Sequence, residues 1–193
     1  MKALLAVSRA IDAVNTRLGK WVSWLIVVVV LVSAGNAVVR KLFDQSSNAW
    51  LELQWVMFSV IFLLCSPWTL ISNEHIRIDI INSRFSKTTR NVIDLFGHVV
   101  FLLPLTIVMM VTGWPFFTAS FAIREQSLNA GGLPQWPAKS LIVIGFALLF
   151  VQALSEIIKR IAVLRGMIPD PYDRTLTSAE LEAERLADLK PNS

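Results

Sequence analysis

Four long apolar blocks constrain this chain more than any other feature. Trp21 to Val39 and Leu53 to Asn73 hold no charged residue, and Leu95 to Ile123 holds His98 as its one ionisable side chain. Trp136 to Ile158 makes a fourth block if Lys139 and Glu156 lie near its two ends. A helix rises about 1.5 Å per residue, so roughly 20 apolar residues cross a hydrocarbon core. Only 17% of the 193 residues are charged, against about 25% in soluble domains. The pattern predicts an all-α integral membrane protein with spans near residues 21–41, 50–71, 94–117 and 136–160. Residues 1–20 are expected to form an amphipathic helix at the cytoplasmic surface, residues 21–165 the transmembrane domain, and residues 166–193 a polar cytoplasmic tail.

Charge placement gives an orientation. Met1–Lys20, Asn73–Arg90 and the chain after Ile158 hold 14 Lys/Arg, and the other two connections hold 4. Cytoplasmic loops carry the basic excess, so both termini and the middle loop are expected in the cytoplasm. An even number of spans agrees with this, since it puts both termini on one side. The net charge of +4 does not point to nucleic acid, because the basic residues flank apolar blocks instead of lining one solvated face. Trp21, Trp24, Trp50, Trp68, Trp114 and Trp136 fall near span ends, where an indole is half buried and its N–H stays wet. Trp55 lies one turn deeper, where it is expected to face another helix.

Local signals fill in the connections. Leu4, Val7, Ile11, Val14 and Leu18 recur every three or four residues and share one helical face. Such a helix either extends the first span or lies in the interface plane as a brace. Ser46, Ser47 and Asn48 are good N-cap residues, which puts Glu52 in the first turn of the second span, where the helix dipole favours a carboxylate. The middle loop is expected to lie on the membrane surface. Pro104 and Pro115 can kink or end the third helix. Gly131, Gly132, Pro134 and Pro137 make Ala119–Pro137 a structured turn. Pro169 and Pro171 are expected to end the fourth helix, and Thr177 with Glu180 forms a capping box for a short helix beyond.

Chemistry-bearing residues are few. Asp94 and His98 stand at i, i+4 and share a face, but a metal site needs three or four ligands, and His75 is the only other histidine. Cys65 is the only cysteine and is expected as a small core residue. Haem ligation across two spans needs paired intramembrane histidines, and a quinone-linked disulfide oxidase needs several cysteines. A four-span multidrug exchanger would carry a deep carboxylate in its first span, where this chain has none. No phosphate-binding glycine loop is present. The chain is expected to be neither an enzyme nor a cofactor protein.

Two stretches carry a family resemblance. Trp50-Leu-Glu52-Leu-Gln54-Trp55 opens the second span, and Asn73-Glu-His75-Ile-Arg77-Ile-Asp79-Ile80 follows it. Together they resemble the small membrane subunit, DctQ type, of tripartite ATP-independent periplasmic (TRAP) transporters. Glu125-Gln-Ser127-Leu-Asn129-Ala-Gly131-Gly132-Leu-Pro134-Gln-Trp136-Pro137 resembles the outer loop of one branch of that family. The chain departs from the family's paired carboxylates, since Leu53 and Gln54 follow Glu52.

The resemblance implies a scaffold subunit of a sodium-driven importer of an organic acid in the bacterial inner membrane. Its implied partners are a large multi-span TRAP membrane subunit, a periplasmic substrate-binding receptor and the lipid bilayer. Trp50, Glu52, Trp55, Arg124, Glu125, Asn129, Gly131, Gly132, Pro134 and Trp136 become expected outer-face contacts, and His75, Arg77 and Asp79 are expected to fix the cytoplasmic turn. The rival expectation is a self-contained oligomeric transporter or channel that uses Asp94 and His98.

Overall fold

The computed structural model of the protein describes residues 2–44, 47–72 and 86–168. Within them the chain forms α1 Lys2–Ser23, α2 Leu25–Phe43, α3 Asn48–Ser72, α4 Lys87–Gly97, α5 Leu103–Ala122 and α6 Trp136–Leu164. No strand occurs among the described residues. Four stretches are long and apolar enough to cross a membrane: Lys2–Phe43, Asn48–Ser72, Thr88–Ala122 and Trp136–Leu164. The chain is therefore an all-α, multi-pass membrane protein, as its apolar blocks require, because a helix satisfies its own backbone hydrogen bonds in lipid.

The helix ends show where other signals prevail. The first span is interrupted at Trp24. Trp24 N–H donates to Trp21 O at 3.3 Å and Val27 N–H to Trp24 O at 3.2 Å, tight three-residue bonds that separate α1 from α2. Pro115 does not end α5, which runs on to Ala122. Pro104 lies at the start of α5, directly after a π-helical turn over His98–Leu102 that joins α4 to α5. A proline cannot donate to the carbonyl four residues back, and the wider turn accommodates the loss. Pro67 lies inside α3, where Ser66 Oγ donates at 2.9 Å to Leu63 O, the carbonyl that Pro67 leaves without its usual donor.

Helix α4 begins at Lys87, inside what the sequence suggested was a surface connection. Its N-cap is Ser86, whose side chain accepts from Thr89 N–H at 3.2 Å. Helix α6 stops before the expected prolines. Gly166 adopts φ +65°, and Gly166 N–H and Met167 N–H donate to Val163 O and Ala162 O at 2.9 and 3.0 Å. Pro169, Pro171, Thr177 and Glu180 lie outside the described residues.

Helix α6 is the axis of the bundle and packs against α5, α3, α1 and α4. A Cβ on Gly145 would lie 2.7 Å from Leu63 Cβ, so the glycine lets α3 and α6 approach closely. Helix α2 leans mainly on α3 and has Val29 as its one buried residue. Residues 123–135 cap one end of the bundle, the loop end. The close of α6 marks the other.

Candidate functional site

At the loop end Glu52 organises residues 123–135. Asn129 Nδ2 donates to its Oε1 at 2.8 Å, Leu133 N–H donates to its Oε2 at 2.6 Å, and the Ser127 hydroxyl donates to Oε1 as well. The carboxylate is 5% exposed although it sits at a helix end. Helix α3 begins at Asn48, so Glu52 lies past the first turn and caps no helix. Its charge is answered by donors from its own chain, not by a helix dipole or an ion pair. Asn48 Nδ2 adds a bond to Ala130 O at 3.0 Å.

The loop is shaped to reach that carboxylate. Ser127 N–H donates to Leu133 O at 3.1 Å, Gly132 N–H to Asn129 O at 3.0 Å, and Gln135 N–H to Glu125 O at 2.9 Å. Gln126 and Pro134 form an antiparallel bridge. Gly131 turns the chain at φ +70°. A Cβ on Gly132 would lie 2.5 Å from Ser127 Cβ and 2.8 Å from Glu52 Oε1, so no side chain fits there. Arg124, at φ 48°, closes α5 in the left-handed conformation. Glu125 pairs with Lys139, whose ammonium also lies 4.2 Å from the centre of the Phe116 ring. The Lys139 hydrogen bond holds the Glu125 carboxyl below the usual carboxylate range. Trp136 packs edge-on against Phe121 at 5.3 Å.

The structure thus brings Glu52, Asn129 and Gly132 into one cluster, with Arg124, Glu125, Gly131, Pro134 and Trp136 shaping its flanks. Trp50 stands apart, 49% exposed, and lines a groove with Leu31, Gly35, Asn36 and Val39 of α2. Trp55 is 65% exposed and faces away from the bundle, not toward another helix as the sequence suggested. His75, Arg77 and Asp79 lie outside the described residues. Sequence reasoning missed Ser127 and Leu133 as ligands of Glu52, and Lys139 as the partner of Glu125.

A second, larger cluster at the opposite end was missed almost entirely. Ser8, Asp12 and Asn15 of α1 meet Gln152, Ser155, Glu156 and Lys159 of α6. Lys159 Nζ lies 2.9 Å from Asp12 Oδ2 and 2.6 Å from Glu156 Oε1. Gln152 Nε2 donates to Asp12 Oδ1 at 2.8 Å and to Glu156 Oε1 at 3.0 Å, and its Oε1 accepts from Asn15 Nδ2 at 2.8 Å. Ser155 Oγ donates to Asp12 Oδ1 at 2.8 Å and lies 2.6 Å from Ser8 Oγ. One turn on, Arg160 pairs with Asp94 of α4 at 2.9 Å and donates to Asn91. Ser8, Asn15, Gln152, Ser155, Glu156 and Arg160 are all buried.

The Asp94 carboxylate faces Arg160, while His98 Nδ1 approaches the backbone carbonyl of Asp94. Among the described residues no group of three or more His, Cys, Asp and Glu stands ready to hold a metal ion. Cys65 is half-buried, with its thiol 3.6 Å from Gly19 O.

Across residues 29–163 the sequence matches the family described as Tripartite ATP-independent periplasmic transporters, DctQ component. The chain belongs to that DctQ family. No curated protein and no solved structure matches it. A DctQ protein is a small membrane subunit of a TRAP transporter, and the family is one of transporter components, not of enzymes. The matched stretch contains the whole Glu52 cluster and the α6 half of the second cluster. Helix α1, which supplies Ser8, Asp12 and Asn15, precedes it.

Proposed function

We propose that this DctQ protein is the fixed brace of a sodium-driven importer of an organic acid. In this reading it packs against a large multi-span TRAP membrane subunit, which carries the substrate and sodium sites. A periplasmic receptor delivers the acid. The complex lies in the bacterial inner membrane with both termini of this chain in the cytoplasm. The loop end then faces the periplasm, which puts the Glu52-pinned loop, Trp50 and Trp55 within reach of the partners.

One observation carries the proposal. The buried charged side chains of α6, Glu156, Lys159 and Arg160, are bonded to charged partners, and these pairs tie α6 to α1 and α4. A group that couples transport to an ion must exchange partners during the cycle, and such groups mark ion pathways. Groups that fasten three helices together favour a static body instead. The Glu52 cluster supports the same reading at the other end, since it fixes the shape of a loop.

The test is a detergent pull-down of the full chain from its native membrane, with mass spectrometry of the proteins that co-purify. A stoichiometric, many-span partner is the expected result. Recovery of a defined homo-oligomer with no such partner would overturn the brace reading. Substitution of Glu52 by Ala is expected to leave insertion intact and to lower uptake by the assembled system. Unchanged uptake would remove Glu52 from the functional surface.

A further inference from the structure

Helix α1 has three faces, not two. On a 3.6-residue wheel Ser8, Asp12, Asn15 and Gly19 fall within about 60° of one another. This is the seam against α6 and α3, where Ser8, Asn15 and Gly19 are buried. Leu4, Val7, Ile11, Val14 and Leu18 span about 80° on a second side. Leu4, Val7 and Val14 there are exposed, at 48%, 53% and 61%. Lys2, Arg9 and Lys20 lie within about 20° of one another on the third side, with Arg17 about 60° further round. All four cations are exposed. Asp12 is the only acidic residue of α1, and it turns into the seam to meet Lys159. The ridge is therefore basic along its length with no acid to balance it.

Its position in the bundle matters equally. Ser8 and Asp12 sit beside Ser155 and Lys159, within the last three turns of α6, and Gly19 packs on Trp68, about one turn before α3 ends. Over Ser8 to Asn15 its partners on α6 run from Gln152 to Lys159, all in the second half of that helix. Trp21 and Trp24, 76% and 72% exposed, mark the point where α1 turns into α2.

We propose that the Lys2–Arg9–Arg17–Lys20 ridge is a binding surface for the anionic headgroups of phospholipids. The apolar stripe enters the acyl layer, the seam holds the helix to the bundle, and the ridge is left at headgroup depth. Exposed cations beside an anionic leaflet each add roughly 1 kcal/mol of attraction, screened within a Debye length of about 10 Å at 0.1 M salt. Ridge residues 2 and 9 stand about 10 Å apart along the helix and residues 9 and 17 about 12 Å. One long ridge thus spans several headgroups rather than gripping one ion. The acid-free ridge favours lipid phosphate over a protein partner, whose recognition would be expected to use the seam or the stripe as well. The proposal goes beyond the transporter reading and stands or falls separately.

The test uses the full chain in detergent, equilibrated with mixed micelles carrying fluorescent phosphatidylglycerol or phosphatidylcholine, and measures lipid retained per protein. At low salt the anionic lipid should be retained about tenfold over the zwitterionic one, with the ratio falling as salt rises. The variant K2Q/R9Q/R17Q/K20Q should bring the ratio near one. R40Q/K41Q, at the far end of α2, should leave it unchanged, and K2R/K20R should retain it. Helical circular dichroism checks folding, and R9Q and R17Q singly, each giving a partial fall, serve if the fourfold variant misfolds. A wild-type ratio near one would overturn the proposal. So would a ratio that survives loss of the ridge, or one lost equally in R40Q/K41Q. If ridge substitutions release a stoichiometric protein while the lipid ratio stands, the surface belongs to that protein and the proposal fails.

Discussion

Replacing Lys159 by Met removes the cation that one buried and one half-buried carboxylate share. Its ammonium lies 2.9 Å from Asp12 and 2.6 Å from Glu156, with side chains only 11%, 22% and 2% exposed for Lys159, Asp12 and Glu156. Polar contacts between helices in membranes average about 0.6 kcal/mol and reach about 1.7. Two such contacts give about 1–3 kcal/mol. Breaking a buried pair by removing one partner costs about 3–5 kcal/mol, because a charge is left uncompensated. Gln152 still donates to both acids, which softens the loss. The expected cost is therefore about 2–4 kcal/mol, within the range those two limits set. Sodium dodecyl sulfate titration in mixed micelles, followed by helical circular dichroism, measures it. Local release of α1 should also speed tryptic cleavage at Arg9 and Arg17, since a detached element opens before the whole. The triple variant Asp12→Asn, Glu156→Gln, Lys159→Met removes every charge of the set and should recover more than half of the loss. A K159M cost under about 0.5 kcal/mol, or a triple variant as unstable as the single one, would show that the shared cation does not hold α1 to α6.

Three other outcomes are expected at the loop end and the seam. Gly132→Ala puts a methyl group where Ser127 and Glu52 already stand, so it should loosen the loop by about 1–3 kcal/mol, read as faster hydrogen exchange at Leu133. Gly19→Ala meets Trp68 Cβ at 2.6 Å and should shift α1 off α3, read as greater reactivity of Cys65 toward a thiol reagent. The Glu125–Lys139 tie stabilises the fold above the ordinary carboxyl value of 4.5 and is lost as pH falls through the lower folded value. The gap in melting temperature between wild type and Glu125→Gln should thus be full near about pH 6 and narrow as pH falls below 4.5.

The spans were legible because lipid leaves the backbone few options: a long uncharged block must be helical and must cross. Their ends were less so. Gly166, at φ +65°, is the stop signal for α6 and comes before the nearby prolines. Glu52 and the 125–137 stretch each stood out on residue type, but their contact joins positions 75 to 81 residues apart, beyond any local period. The seam follows a rule unlike that of soluble proteins. There a helix turns its apolar stripe inward. In α1 the stripe Leu4, Val7 and Val14 faces out and Ser8, Asp12 and Asn15 face in, because lipid accepts the first set and not the second. The recurrence of small and polar residues at 8, 12, 15 and 19, matched by 152, 155, 156 and 159, was the readable trace.

A DctQ protein that acts as a brace fastens a transporter without moving ions or substrate itself. Reconstitution into liposomes with an imposed sodium gradient puts this to the test, comparing the chain alone with the chain plus the proposed large subunit and receptor. The brace reading predicts no organic-acid uptake and no sodium or proton flux from the chain alone, and sodium-dependent uptake from the assembly. Flux from the chain alone, abolished by changing Asp94 or His98, would contradict it.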